Sequence, residues 1–500
     1  MSILSRLPGK FHLTRFVFTL CIFTILQPVT ALQSISAFSL LPKKEPAPTV
    51  RRDTLNDSLS KESQTWRSGI SLSQYVQTFP ESEWWAQFGD TTLNQLIQTA
   101  ILQNPTLEIA SQRVEVAKAN ALLSRAPLFP KISFGGQYLW QKYSQRQFLF
   151  PLRSRTFHSF AFPLSMTYEA DIWGKNLKKY QVTKLQARAE QAAYHNVIIQ
   201  LTTSVVSQYI NLLKFNMMVE SEKTLLSLNE KNQRHQKALF AEGLTSTDVL
   251  DKATQEYEAS RIRYENFLSN QEQALNHLHS LLGESASQAH PLDTELLNKR
   301  LSDLKIPSTL NAGVPSEIIV HRPDIQQIEA QMQAAFINIQ VARREMLPSF
   351  KLDAQTGLSA LGITNVFSSR SISSYLMPTF SQPIYEGGAI SAGIRYRKAE
   401  YESLFHQYRE RLLSALEETE NALSVLSANT DILESVTTQL AGNTRLALQQ
   451  KRRFEEGLVS EPDWLPQESQ RLEFEKALAQ QKAEVLIDHL SVIKAVGGGF

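Results

Sequence analysis

The chain has 500 residues and a formal net charge of +2, with acids and bases interspersed, so no basic stripe directs it to nucleic acid. A length of this order allows about two to four domains and a large core. A single cysteine, Cys21, excludes an intramolecular disulfide and a cysteine-built metal site.

Lys10 and Arg15 precede an apolar run from Phe16 to Leu26, and Val29-Thr30-Ala31 offers the small residues of a signal-peptidase site. Residues 1–31 therefore read as a signal peptide, and the chain as exported. Leu20 stands before Cys21 where a lipid-attachment site wants a small residue, which argues against lipidation there. Residues 32–80 are polar, carry Pro42, Pro46 and Pro48, and read as a linker. No later stretch is long and apolar enough for a transmembrane helix. An exported chain of this kind is soluble in the periplasm, secreted, or inserted as a β-barrel.

Helical spacing is set by Leu93, Leu96, Ile97, Ala100 and Ile101, breaks at Asn104-Pro105, resumes at Leu107 and stops at Pro127 and Pro130. Alternating segments follow. Ile132, Phe134, Gly136, Tyr138 and Trp140 share one face of the first, against Ser133, Gly135, Gln137 and Gln141. Phe160, Phe162, Leu164, Met166, Tyr168 and Ile172 share a face of the second. In the second half Phe350, Leu352, Ala354, Leu358 and Ala360 do the same, and then Leu376, Phe380 and Ile384. The four segments lie within residues 131–173 and 349–386. Their lengths are near the ~9–11 residues of a tilted bilayer-spanning strand, although a soluble sheet also alternates. On the membrane reading Phe134, Tyr138, Trp140, Phe162, Leu164, Phe350, Leu352 and Phe380 face lipid.

Each strand pair runs into long helical sequence. Residues 176–239 and 244–282 contain neither proline nor glycine; residues 394–456 are interrupted only by Gly442, and a last helix is expected over 466–496. A helix of ~60 residues is about 90 Å long, so coiled-coil packing is needed to support it. Leu201, Val205, Val206, Tyr209, Leu212 and Leu213 mark a buried stripe. Gly243 and Gly457 suit left-handed positions just past a helix end, and Ser246 and Ser460 offer capping hydroxyls to the helices that follow.

The order is duplicated. Asn104-Pro105 and Arg322-Pro323 each open a helix and are followed 25 residues later by Pro130 and Pro348. Phe240-Ala241-Glu242-Gly243-Leu244 recurs as Phe454-Glu455-Glu456-Gly457-Leu458, 214 residues on. Residues 81–283 and 314–496 read as two repeats, joined over 284–313 and followed by a tail at 497–500. Four strands cannot close a barrel in lipid, where about eight is the smallest closed number and an open edge is not tolerated. The chain must pool its strands with other copies, and three copies would supply about twelve.

Several segments resemble the outer-membrane efflux protein (TolC-like) family, and within it the outer-membrane factors of resistance-nodulation-division (RND) pumps. They are Trp84-Trp85-Ala86-Gln87-Phe88-Gly89-Asp90, Tyr168-Glu169-Ala170-Asp171-Ile172-Trp173-Gly174, His321-Arg322-Pro323-Asp324-Ile325, Leu347-Pro348-Ser349-Phe350, Pro383-Ile384-Tyr385-Glu386-Gly387-Gly388 and Gly497-Gly498-Gly499-Phe500. The resemblance implies an α+β membrane protein: a homotrimeric 12-stranded β-barrel, four strands per chain, continued by a long α-helical coiled-coil barrel in the periplasm. It implies outer-membrane lipid, a periplasmic membrane-fusion adaptor and an inner-membrane RND-type pump as partners. It also implies a constriction at the helix tips. Asp463, six residues past Gly457, matches an acidic position there, and Phe454 an aromatic one. Asp248, five residues past Gly243, is the looser counterpart, in a turn that reads as one residue shorter.

No catalytic constellation stands out. His277 and His279 diverge on a helix and read as surface residues, and Glu417, Glu418 and Glu420 read as a solvated face. There is no phosphate-binding loop and no His-Glu-x-x-His. The chain therefore reads as no enzyme and as needing no cofactor or metal, with a partner supplying energy. The resulting expectation is a passive outer-membrane channel of a tripartite efflux system for small molecules and drugs, gated at the periplasmic tips. The alternatives are the duct of a type I protein secretion system and, in another class, a periplasmic coiled-coil adaptor or scaffold.

Overall fold

A computed structural model describes residues 83–144, 156–285, 290–307, 321–459 and 461–498, without the side chains of 461–463. The signal peptide, the linker, Cys21, Ser460 and part of the inter-repeat connection lie outside the described residues.

The opening Trp84–Phe88 segment forms one 3-10 turn, ended by Gly89 in the left-handed region. Trp84 and Phe88 are fully buried, so this signature is a core plug. Helix α1 (Thr91–Gln103) starts at Asp90, whose carboxylate accepts from Thr92 N. Helix α2 (Pro105–Arg125) starts at Asn104, whose Oδ1 accepts from Thr106 N and Leu107 N, with Pro105 where a missing N–H does no harm.

The strands are β1 (Lys131–Phe134), β2 (Gln137–Lys142), β3 (Thr156–Ala170), β4 (Ser349–Ala360) and β5 (Ile372–Ser381). They form one antiparallel sheet in which β1 and β2 both pair with β3, then β4, then β5. The first alternating segment is therefore two strands in one register, parted at Gly135-Gly136. Pro163 lies opposite Gly135 and accepts from its N–H at 3.0 Å, but has no N–H to return. Ile172 and Ile384, expected on strand faces, lie past the strand ends, in a turn and in an irregular exit segment.

Helix α3 (Lys175–Ala241) has 67 residues, helix α4 (Thr247–Leu282) 36, and the second half repeats both lengths in α7 (Ala389–Glu455) and α8 (Glu461–Val496). The short α5 (Asp293–Asn298) lies in the connection between the halves, and α6 (Pro323–Arg344) belongs to the second half as the counterpart of α2. At ~1.5 Å per residue α3 and α7 are each about 100 Å long. Glycines in the left-handed region punctuate both copies: Gly174 and Gly388 before the long helices, Gly243 and Gly457 after them, Gly283 and Gly497 after the shorter ones. The first turn of α3 is held by Asp171, which accepts from Asn176 N at 3.0 Å and Leu177 N at 2.8 Å. Trp173 Nε1 donates to Pro348 O across the halves at 2.7 Å.

Gly442 does not interrupt α7, and α8 begins five residues before Pro466, which lies inside it. Pro466 falls within the first two turns of α8, where it removes only one helical hydrogen bond, to Pro462. Ser246 occupies the N-cap of α4, but its hydroxyl makes no capping bond.

The core lies around the middle of α3, not in the sheet. Val205, Val206, Tyr209, Leu212 and Leu213 are fully buried against α1, the Trp84–Phe88 turn, the end of α4 and Leu486 and Leu490 of α8. Leu296, Leu301 and Leu304 of the inter-repeat connection also enter this core. Among the described residues no helix is long and apolar enough to cross a membrane.

Candidate functional site

The sheet has two chemically distinct faces, and its register is continuous across all strands. On one face run the rows Ile132, Met166, Ala354, Leu376; Tyr168, Leu352, Pro378; and Ala170, Phe350, Phe380. Phe134 and Leu164 share this face, as do Tyr138 and Phe160, Trp140 and His158, and Phe162 and Leu358. All eight residues expected on the apolar face are thus brought together. Tyr138 packs on Phe160 at 4.9 Å between ring centroids, Phe350 on Phe380 at 5.3 Å, and Tyr138 Oη lies 2.8 Å from His158 Nδ1.

The opposite face carries Lys131, Thr167, Asp353 and Met377 in one row, Ser133, Ser165, Gln355 and Tyr375 in another, and Glu169, Lys351 and Thr379 in a third. An apolar face backed by a hydrogen-bonding face fits a wall between lipid and water. Within the described sheet β3 and β4 are paired on both sides, whereas the outer sides of β1, β2 and β5 are not.

At the other end of the molecule the two hairpins turn alike. Gly243 N donates to Phe240 O and Leu244 N to Leu239 O; Gly457 N donates to Phe454 O and Leu458 N to Arg453 O. The next helix begins four residues past each glycine, so the turns are equally long and the one-residue difference expected between them is absent. Counted from the glycines, Pro462 and not Asp463 is the counterpart of Asp248. Asp248 is exposed in the first turn of α4. Phe454 is half-buried and packs on Trp464, ring centroids 5.8 Å apart. Asp463 lies in the first turn of α8, with its side chain outside the described ones. Leu244 and Leu458, next to the glycines, are 73% and 66% exposed.

Between core and tip, a charged junction went unforeseen. Gln208, Asn211, Phe215, Met218, Glu222, Leu225, Asn229, Asn232 and Gln236 repeat every three and four residues along α3, a coiled-coil seam rich in polar groups. Glu222 is fully buried in it. Its Oε1 accepts from Arg263 Nε of α4 at 2.9 Å, and its Oε2 from Lys476 Nζ of α8 at 2.5 Å. The middle helix thus clamps a neighbour on each side. Below it a cleft of about 500 Å³ is lined by Asn229, Asn232, Gln236, Ser469 and Glu473. The available signal was a carboxylate placed between Met218 and Leu225 on the seam.

Two further clusters correct the surface readings. Glu418 accepts from Arg322 Nη2 at 2.7 Å and Arg411 Nη1 at 3.2 Å, joining α6 to α7, so it is not merely solvated. Asp324 sits between the same two arginines. Burial would raise the Asp324 and Glu418 carboxyls, but the bond and charge of Arg322, with Arg411 beside it, hold both below their usual range. His279 is buried, its Nε2 2.9 Å from Asp293 Oδ1, while His277 is exposed as expected. Asp90 is held low despite burial, because Lys299 Nζ, Tyr209 Oη and Thr92 N all donate to it.

The model of the outer membrane efflux protein family matches residues 96–284 and again residues 314–498. Over 458 residues the chain is 28% identical to the pyoverdine export outer membrane protein OpmQ of Pseudomonas putida, covering 87% of this chain and 91% of that one. It is 25% identical over 446 residues to the probable efflux pump outer membrane protein TtgC of the same species, covering 87% and 89%. In fold it is similar to the outer-membrane channel OprN, with a TM-score of 0.78 at 23% identity over 88% of this chain and 97% of that one.

Proposed function

The chain belongs to the outer membrane efflux protein family, and from that premise we propose that it is the outer-membrane duct of a tripartite efflux system. Three copies pool their strands into a closed 12-stranded barrel, and their helices continue it as a periplasmic tunnel. The observation that carries this reading is the sheet: one apolar face, one polar face, and, within the described sheet, backbone groups unpaired along the edge formed by β1 and β2 and along the edge formed by β5. Such edges are not tolerated in hydrocarbon, and neighbouring copies can pair them. Phe134, Tyr138, Trp140, Phe162, Leu164, Phe350, Leu352 and Phe380 then face lipid, and the Lys131, Ser133 and Glu169 rows face water.

A periplasmic adaptor would dock at the helix tips, where the exposed Leu244 and Leu458 supply apolar contacts, and an inner-membrane pump would supply energy. The relatives named for pyoverdine export and efflux favour small molecules as cargo. We assign closure at the tip to Asp463, together with Asp248 and Phe454. A periplasmic scaffold would share the long helices but leaves the apolar sheet face unexplained.

The test is fractionation followed by gel migration of unheated and heated samples. The duct is expected in the outer membrane, running as a large species that heating converts to the monomer. A soluble, heat-insensitive monomer would overturn the reading.

A further inference from the structure

The β4–β5 connection, residues 361–371, leaves the sheet at the end away from the helices, just past the Leu358–Ile372 pair. Phe367 stacks on Phe162, ring centroids 5.8 Å apart and planes inclined by 24°. Phe162 lies on the apolar face, and its ring crosses Gly136, where an added Cβ would sit 3.3 Å from Cε1. The connection therefore folds back over the apolar face of its own sheet.

Two turns make it compact, Ile363–Asn365 and Ser369–Ser371. Ser371 Oγ donates to Asn365 O at 2.7 Å, and Ser368 Oγ accepts from Arg370 N at 3.3 Å. Val366 is fully buried, whereas Leu361, Ile363 and Phe367 (75% exposed) point outward. A loop in water rarely presents three such side chains together. Arg370 is the only charged residue between 361 and 371, and it is exposed.

We propose that this connection is a lipid-binding wedge: Leu361, Ile363 and Phe367 enter the acyl layer beside β3, and Arg370 reaches anionic head groups. The proposal rests on the reading that the apolar sheet face meets lipid. Acyl chains are the occupant because the loop prolongs that face without a break, and because a lone cation beside an apolar surface suits the boundary with anionic lipid.

Nitroxide labels on cysteines test this in a Cys21→Ser background, using the full-length protein in bilayers containing anionic lipid. Reporters at Leu361→Cys and Ile363→Cys leave Phe367 in place, and Leu164→Cys reports on the sheet face. Relaxation by oxygen, which partitions into lipid, is compared with relaxation by an aqueous nickel chelate. All three labels are expected to be oxygen-dominated, and Phe367→Ser should shift the Ile363→Cys label toward the chelate. If the loop labels respond to the chelate while Leu164→Cys responds to oxygen, the wedge is refuted and the barrel stands. Loop labels shielded from both agents would mean a second copy covers them, which also refutes it. Chelate dominance at Leu164→Cys would overturn the lipid-facing sheet as well.

Discussion

Lys476 donates to Glu222 across a gap of 254 residues in sequence, joining the last helix of the second half to the long helix of the first. Both side chains are buried, and Arg263 satisfies the other carboxylate oxygen. Removing one partner of such a pair typically costs ~3–5 kcal/mol, because the remaining charge is left uncompensated. Arg263 stays with Glu222, so Lys476→Met is expected at or below the lower end of that range, and Arg263→Met with Lys476→Met well above it. Replacing Glu222 and Lys476 together with Met should restore most of the stability. Thermal loss of the assembled form on unheated gels reads out all these variants.

Two glycines predict opposite outcomes. A Cβ on Gly357 would overlap the carbonyl oxygen of Phe162 and the Cα of Pro163, all backbone, so β3 and β4 could not keep their spacing. Gly357→Ala is expected to abolish or sharply reduce the heat-sensitive assembly. A Cβ on Gly442 meets nothing within 4 Å in the middle of a helix. Gly442→Ala should stabilise by ~0.5–1 kcal/mol, seen as a higher melting temperature by circular dichroism.

Acid is expected to loosen the helical body first. Asp324 and Glu418 have folded-state carboxyls below their unfolded values, so their contribution is present at neutral pH and lost as pH falls through the depressed range. His489 adds an earlier slope, because burial lowers its imidazole to about 4 from an unfolded value of 6.5. The unfolded chain gains that proton first, so stability declines between pH 6.5 and about 4. The melting temperature should fall over this window, and His489→Leu should flatten the upper part of the curve. An unchanged slope in His489→Leu would show that other groups set it.

Asp463 from three copies would place three carboxylates at one constriction, which should retain divalent cations. Block of conductance by divalent cations in planar bilayers is expected to weaken in Asp463→Ala. Asp248→Ala, exposed and one position out of step with Asp463, should change it less. Equal block in Asp463→Ala and the parent would remove Asp463 from the gate.

Local order was legible wherever the signal was local. The absence of glycine and proline between Asn176 and Leu239 announced a continuous helix, and alternation from Ser349 to Ala360 announced a strand. Turns at Gly243 and Gly457 followed from conformational need. What escaped depends on partners distant in sequence. The gap between β1 and β2 falls at Gly135-Gly136, a local signal, but it also lies opposite Pro163, a partner that no residue near Gly135 reveals. Glu418 looked solvated among neighbouring acids until Arg322, 96 residues away, reached it. His279 looked exposed beside His277, yet Asp293 in the connecting segment covers it. The charged seam at Glu222 was visible only as a carboxylate on an otherwise packed heptad position.

Native mass spectrometry of the protein released from detergent micelles tests the pooled barrel most directly, because it counts chains without reference to shape. The expected mass is that of three mature chains, persisting until the barrel is unfolded. A stable species of one chain, with its sheet edges unpaired and still able to insert in lipid, would contradict it.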